Sequence, residues 1–312
     1  MFVGIDIGGT KIKYALVDEA GQTSLKGLID TPLEREPLLQ VLEGIVSRFQ
    51  KETLLRGIGV SAPGVVRKDG YMLTGGAIPG LEGLALKDYL KTKFNLPVFV
   101  ENDGKAAAIA EKWLGNAQDV DNYICVVLGT GVGGGIVLDG QVLRGMTGAA
   151  GEFSWMLTQN SQNMKEISSY LAGHMGVLLG LCERYNIKEK ALEPDFVPTR
   201  SALTIFEQEA ENPRAAEAIR EYIQEVARGL FNFSCIFNPE KILLGGGISA
   251  NQGFIEGVQQ TFQELFSRHL MVAGIQKELM PVVEVAGLKN DAGLLGAVYQ
   301  LLQNESQESI DL

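Results

Sequence analysis

Cysteine and histidine are scarce in this chain: three Cys and two His among 312 residues. Cys125, Cys182 and Cys235 stand 57 and 53 residues apart, and no CxxC or CxC pair occurs. That spacing excludes a zinc ribbon and a disulfide framework, and scattered thiols suit a reducing cytosol. Two His leave too few imidazoles for a His-rich metal site or a His-based triad. Basic charge is also in deficit, with 27 Lys and Arg against 38 Asp and Glu and a net charge of −11. A nucleic-acid binder needs a basic face to displace counterions from phosphate, so no nucleic-acid partner is expected. No run of about 18 uncharged apolar residues is present to cross a bilayer. MFVGIDIGGTK opens as a strand, without the basic and apolar regions of a signal peptide. The expectation is a cytoplasmic protein with no membrane partner.

Glycine, by contrast, is abundant: 38 residues, well above an ordinary share of about 7%, and neither periodic nor low-complexity. Much of it follows short apolar runs. Phe2 to Asp6, Ile12 to Val17 and Thr23 to Ile29 read as three strands of a meander, joined by Gly8-Gly9-Thr10 and by the turn Asp18-Glu19-Ala20-Gly21. Leu38, Leu39, Leu42, Ile45, Val46 and Phe49 keep helical spacing. Ile58 to Val60 and Val98 to Val100 read as buried strands, and Leu84 to Phe94 and Ala106 to Trp113 as helices. The pattern then restarts. FVGIDIGGT…LVDEAGQ (2–22) and YICVVLGTG…IVLDGQ (123–141) share strand, Gly/Thr turn, strand and Asp-turn, an internal repeat of about 120 residues. Residues 166–237 read as mostly helical, with a loop over 193–199. Ile242 to Leu244 and Val282 to Val285 read as strands, Ile255 to Phe266 and Ala292 to Leu302 as helices, and the last ten residues as a frayed polar end. Alternating strands and helices in two related halves give an α/β class.

Three glycine clusters end apolar strands: Gly8-Gly9, Gly129-Thr130-Gly131 and Gly245-Gly246-Gly247. Glycine there lets backbone N–H groups approach an anion with no Cβ in the way. Thr10 and Thr130 add hydroxyl donors and Lys11 a point charge. Any one cluster taken alone reads as a tight turn; three, two of them with Thr, in a doubled architecture favour phosphate cradles. They match neither GxxxxGK[ST] nor the dinucleotide fingerprint, since Gly131 to Ile136 lacks the final Gly and leads into a strand.

Asp6 ends the first strand and faces the first glycine turn. A carboxylate beside phosphates points to Mg²⁺, a hard cation that keeps several waters. Asp103 ends another strand in Glu101-Asn102-Asp103. It reads as a helix cap or as the base that accepts a hydroxyl proton in phosphoryl transfer.

Asp6-Ile7-Gly8-Gly9-Thr10-Lys11, Val60-Ser61-Ala62-Pro63-Gly64, Glu101-Asn102-Asp103, Leu128 to Gly135, Gly148-Ala149-Ala150-Gly151-Glu152, Leu244 to Ser249 and Asp291 to Ala297 together resemble the motifs of the ROK family of sugar kinases and related repressors. They span residues 2–299 in family order. The resemblance implies a two-lobed ribonuclease H-like, actin-like ATPase fold with a mixed sheet in each lobe. Residues 1–116 with a returning helix in 291–312 would form one lobe, and 117–290 the other. It implies transfer of the γ-phosphoryl of ATP, with Mg²⁺, to a hexose hydroxyl, commonly the 6-hydroxyl. Asp103 would be the base, and Asn102, Glu152 and Glu166 would bind sugar. Gly8, Gly9, Thr10, Lys11, Thr130 and Gly131 would meet phosphate, with Asp6 near Mg²⁺, and Gly245, Gly246 and Gly247 would lie against adenosine. A homodimer is expected.

The departures narrow the reading. Zinc-bearing members place a His three residues after the sugar-binding Glu and carry a CxCGxxGC motif. Here the stretch is Glu152-Phe153-Ser154-Trp155 and the Cys motif is missing, so no zinc is expected. Ala77 and Lys105 stand where relatives often have Asn, and Gly75, Gly76 and Ala77 leave a smaller, less polar wall. Trp155 offers a flat face for a second sugar or aglycone, or is a core aromatic. The pattern is similar to the family's β-glucoside kinases, with 6-phosphorylation of the non-reducing glucose of a β-glucoside such as cellobiose as the expected reaction. Glucokinase, fructokinase, N-acetylmannosamine kinase and a non-catalytic sugar-sensing regulator are the alternatives. His174 and His269 are assigned to surface or structure, and the three Cys to core or boundary positions.

Overall fold

The computed structural model describes residues 1–158, 164–288 and 291–308, the last five of these by backbone alone. Its ten strands form two five-stranded mixed sheets. The first contains β1 (Phe2–Ile7), β2 (Lys11–Val17), β3 (Thr23–Asp30), β4 (Gly57–Ala62) and β5 (Val98–Asn102), in the order β3-β2-β1-β4-β5. The glycine turn and the Asp18 turn are short enough to pair β1, β2 and β3 antiparallel. Helices α1 (Arg35–Glu52) and α2 (Leu86–Phe94) instead provide crossovers, so β1, β4 and β5 run parallel. The second sheet contains β6 (Tyr123–Leu128), β7 (Val132–Leu138), β8 (Gln141–Val142), β9 (Lys241–Gly245) and β10 (Val282–Val285), in the order β10-β9-β6-β7-β8. Read from its meander edge it repeats the first, which is the duplication visible in the sequence.

The remaining helices are α3 (Asp103–Leu114), α4 (Ala172–Met175), α5 (Glu183–Lys190), α6 (Ala202–Glu207), α7 (Pro213–Phe237), α8 (Gln252–Arg268), α9 (Gln276–Leu279) and α10 (Ala292–Glu308). The expected helical stretch over 166–237 is broken. A 3₁₀ turn at Ile167–Ser169 precedes α4, and Val177–Cys182 is π-helical. The end expected to fray is helical through Glu308, while 309–312 lie outside the described residues. No helix among the described residues is long and apolar enough to cross a membrane.

The chain divides into two compact units, one of residues 1–121, 135–151 and 287–312 and the other of 122–134 and 152–286. The segment 135–151 thus groups with the first unit, whereas the sequence boundaries put it with the second. In the first unit the alternation of β1 sorts its side chains. Val3, Ile5 and Ile7 join a core under α1 with Leu38, Leu42 and Phe49. Phe2 faces the opposite way, with Ala15, Val17, Leu295 and Val298 of α10. In the second unit α7 buries one long apolar stripe, and the hydroxyl of its fully buried Tyr222 donates to the Met175 carbonyl at 2.8 Å. Cys125 and Cys182 are buried as expected, but Cys235 is exposed, because it lies on the outward face of α7.

Candidate active site

Strand register assembles the site of the first unit. Asp6, at the end of β1, is paired across the antiparallel ladder with Lys13 and across the parallel ladder with Ser61. Ser61 Oγ donates to Asp6 Oδ1 at 2.8 Å, and Lys13 Nζ stands 3.3 Å from Oδ2. A Cβ on Gly293, at the start of α10, would lie 2.5 Å from Asp6 Oδ1, so the helix backbone approaches the carboxylate closely only because residue 293 is glycine. The turn after Asp6 leaves Gly9 and Thr10 exposed. It is fixed by Gly8 N–H to the Lys11 carbonyl at 3.0 Å, and by the Thr31 hydroxyl to the Gly8 carbonyl at 2.7 Å. Its outer face is therefore open for an anion. Ala77 reaches this turn, since a Cβ on Gly9 would be 3.4 Å from the Ala77 Cβ. Lys11 does not point free at the turn; its ammonium pairs with Asp30 of β3 at 2.6 Å in an exposed ion pair. Ser61, which the motifs contain without a stated role, and Lys13, which no motif contains, hold Asp6. The alternation of β2 was the signal for Lys13.

Asp103 opens α3, three residues before the helix start expected from periodicity. Asn102 explains the difference: it is the N-cap, and its Oδ1 accepts from Lys105 N at 3.1 Å. The cap alternative therefore belongs to Asn102, leaving Asp103 at the first helical position. Asp103 Oδ1 accepts from Gly104 N at 2.8 Å and from Asn102 Nδ2 at 3.1 Å. The second Asn102 amide proton goes to the Gly64 carbonyl at 2.9 Å, so both donors of Asn102 are committed within the protein and only Oδ1 retains a lone pair for a sugar. Behind it, Glu101 Oε1 accepts from Asn102 N, while Glu101 Oε2 takes Arg144 Nε at 2.8 Å and Arg144 donates on to Gln300 at 3.0 Å. Water reaches Asp103 by surface area, yet the surrounding protein displaces enough of it to push the carboxyl up from its ordinary range. The Asp6 charge adds to the rise, while Gly104 N–H, buried Lys105 and Asn102 oppose it. A raised carboxylate that solvent reaches is suited to taking a proton.

In the second unit a cavity of about 660 Å³ is of the size that holds a cofactor. Thr130 and Gly247 line it; Gly131, Gly245 and Gly246 do not. Gly246 shapes the turn behind it: its φ is +94°, and a Cβ there would fall 2.0 Å from the Leu128 carbonyl oxygen. The glycine turn Gly129–Gly131 is held by the π-helix, whose Val177 and Leu179 N–H groups donate to the Gly129 and Thr130 carbonyls at 2.7 and 3.2 Å. Arg200, Leu203 and Phe206 also line the cavity, and no sequence motif marks them. Asn186, bonded to both N and O of Thr199 at 2.9 Å, fixes the loop end that presents Arg200.

The expected sugar residues of this unit lie on adjoining segments. Glu152 precedes the 3₁₀ turn Phe153–Trp155, and Glu166 precedes the 3₁₀ turn Ile167–Ser169. The two stretches pair through a bridge between Leu157 and Tyr170, with Leu171 N donating to the Met156 carbonyl at 2.7 Å. Trp155 is 56% exposed, which removes the core-aromatic alternative. Ser154 Oγ accepts from Val132 N at 2.8 Å and so joins this turn to the Gly129–Gly131 loop. Gly76, Ala77 and Glu166 are exposed, and Glu152 is half-buried.

The chain as a whole is similar to known proteins. The model of the ROK family matches residues 2–304. A beta-glucoside kinase of Listeria innocua is 33% identical over 309 residues, with 97% of each chain covered. Among solved structures, a ROK family protein from Streptococcus pneumoniae in complex with sucrose has a TM-score of 0.82 at 29% identity, over 98% of this chain and 99% of its own. A ROK family glucokinase from Streptomyces griseus in complex with glucose and AMPPNP has a TM-score of 0.74 at 27% identity, over 96% and 98%. The two mixed sheets are thus those of the actin-like ATPase fold expected from the motifs.

Proposed function

The chain belongs to the ROK family and is a sugar kinase, and from that premise we propose that it transfers the γ-phosphoryl of ATP to the 6-hydroxyl of the non-reducing glucose of a β-glucoside such as cellobiose. The observation that carries the substrate is the exposed Trp155 ring, one turn after Glu152, where zinc-bearing relatives keep a His. A flat apolar face in that position suits the second sugar or aglycone, since sugar rings stack on aromatic faces, and the likeness to the Listeria innocua enzyme supports the same substrate class.

In this reading Asp103 accepts the proton of the attacking hydroxyl, and Asn102 orients Asp103 while its remaining Oδ1 lone pair faces the sugar. Glu152 and Glu166 accept hydrogen bonds from ring hydroxyls, and Gly76 and Ala77 offer the sugar a small, weakly polar wall. Gly8, Gly9, Thr10 and Lys11 meet phosphate, as do Thr130 and Gly131, while Gly245, Gly246 and Gly247 shape the adenosine cavity. Lys11 can reach phosphate by exchanging its exposed pair with Asp30, an interaction worth about 0–1 kcal/mol.

Mg²⁺ fits one protein carboxylate here. Asp6 is partly exposed and is an oxygen donor of the kind Mg²⁺ takes, with phosphate and water supplying the other positions. The ion when bound neutralises charge on the transferring phosphate. A cytoplasmic homodimer completes the proposal. The test is ATP turnover against a panel of hexoses and β-glucosides, with the phosphorylated position of the product read by NMR. A kcat/KM for a β-glucoside above that for free glucose, with a 6-phosphate on the non-reducing ring, is expected. Glucose far outperforming every β-glucoside would overturn the substrate reading.

A further inference from the structure

His174 lies on α4 and is only 9% exposed. Its Nδ1 is 3.0 Å from Glu225 Oε2 and its Nε2 is 2.8 Å from the Ser168 carbonyl oxygen. A peptide carbonyl can only accept a hydrogen bond, and so can an ionised carboxylate. Both contacts are hydrogen bonds at once only when both ring nitrogens carry protons, as they do in the imidazolium. Glu225 sits on α7, the longest helix of the described residues, and also pairs with Arg228. Ser168 sits in the 3₁₀ turn that follows Glu166. Of that turn only Ser169 is buried, while Glu166, Ile167 and Ser168 are exposed. Burial therefore contributes little to placing Glu166. Hydrogen bonds place it: Ser169 N to the Glu166 carbonyl at 3.0 Å, Thr158 N to the Ser169 carbonyl at 3.0 Å, and the His174 link to α7.

We propose that His174 is a positioning residue for sugar binding: its two ring nitrogens tie the Ser168 carbonyl to the Glu225 carboxylate and so hold the turn that presents Glu166. This rests on the reading of Glu166 as a sugar contact. From α7, Glu225 and Arg228 face the ring, and Arg184 acts on Glu225. The π-helix packed on α4 carries the buried thiol of Cys182, and the two 3₁₀ turns packed on α4 are preceded by Glu152 and by Glu166. The Glu225 hydrogen bond raises the His174 pKa most. Burial opposes it, the Ser168 carbonyl adds to it, and Arg228 lowers it, leaving the pKa above the ordinary value of 6.5. A folded pKa above the unfolded one means that the tether is complete below about pH 6.5 and is lost as pH rises through the raised value.

The test is steady-state kinetics of the full chain from pH 5.5 to 9, with KM measured separately for ATP and for the best sugar of the panel. In the wild type, sugar KM rises about 3–10-fold, the scale of one hydrogen bond, through a single ionisation above the ordinary histidine range, while ATP KM stays level. His174→Gln holds sugar KM at the high value at every pH. Glu225→Gln moves the ionisation to lower pH by removing the anion, and it carries the test alone should His174→Gln fail to fold. Glu166→Gln separates the two readings. If Glu166→Gln raises sugar KM while His174→Gln keeps the wild-type profile, or Glu225→Gln leaves the ionisation in place, the positioning role is wrong. An unchanged sugar KM in Glu166→Gln overturns the sugar contact, and the positioning role with it.

Discussion

Asn102 holds Asp103 from the side: its Nδ2 donates to Asp103 Oδ1 at 3.1 Å, and its Oδ1 caps, at 3.1 Å, the helix that Asp103 begins. One side chain thus links helix stability to the orientation of the proposed base. Asn102→Ala should lower folding stability by about 0.5–2 kcal/mol, the usual value of an N-cap, and lower kcat about tenfold as Asp103 loses its neighbour. Denaturant unfolding and initial rates on the same preparation check both. Unchanged stability would contradict the cap, and unchanged kcat the orienting role.

The Asp103 carboxyl is raised by surrounding protein and by Asp6. A base works only when ionised, so kcat at saturating Mg-ATP should fall on the acid side through a pKa above the ordinary Asp value of about 3.9. Asn102→Asp puts a second carboxylate beside it, and like charge disfavours ionisation, so the acid limb should move to higher pH. A pH–rate profile of both proteins decides this. A limb at the ordinary value, or one that Asn102→Asp does not move, contradicts the assignment.

Lys13 stands 3.3 Å from the carboxylate proposed to serve Mg²⁺. An ammonium there competes with the cation for Asp6. Lys13→Met should therefore lower the Mg²⁺ concentration for half-maximal rate several-fold, and Asp6→Asn should raise it, as the sign of each charge requires. Mg²⁺ titrations at fixed ATP give the comparison; the same half-saturation in all three proteins would exclude Asp6 from metal binding.

Trp155 is exposed beside the Glu152 turn. If its ring carries the second sugar or aglycone, Trp155→Ala should raise KM for a β-glucoside about 3–10-fold, the scale of one aromatic contact, and leave KM for glucose within about twofold. Equal effects on both substrates would assign the ring to general structure.

Much of this was legible in the sequence, for identifiable reasons. Strands with buried alternation, glycine turns and the duplicated β1–β3 and β6–β8 pattern rest on local chemistry that repeats at fixed spacing. Asp6, Asn102 and Asp103 stand at strand ends, where the motif marks them. The pocket wall of Arg200, Leu203 and Phe206 carried no such mark. It depends on Asn186 holding Thr199, a contact across a loop that no periodicity encodes. His174 was assigned to surface or structure because a lone His in a helical stretch looks ordinary; its meaning comes from two partners, six and 51 residues away. Lys13 drew no notice because no motif contains it; its place beside Asp6 comes from the register between β1 and β2.

Asp103 is the residue on which the proposed proton transfer depends. Asp103→Asn keeps an oxygen to accept from Gly104 N and Asn102 Nδ2, so the fold and the helix start are preserved. The measurement is kcat of this variant for ATP-dependent phosphorylation of cellobiose. A fall of about 10²–10⁴-fold, the usual contribution of a general base, with KM for cellobiose little changed, is the predicted result. A rate near that of the wild type would show that Asp103 does not accept the proton and would contradict the mechanism.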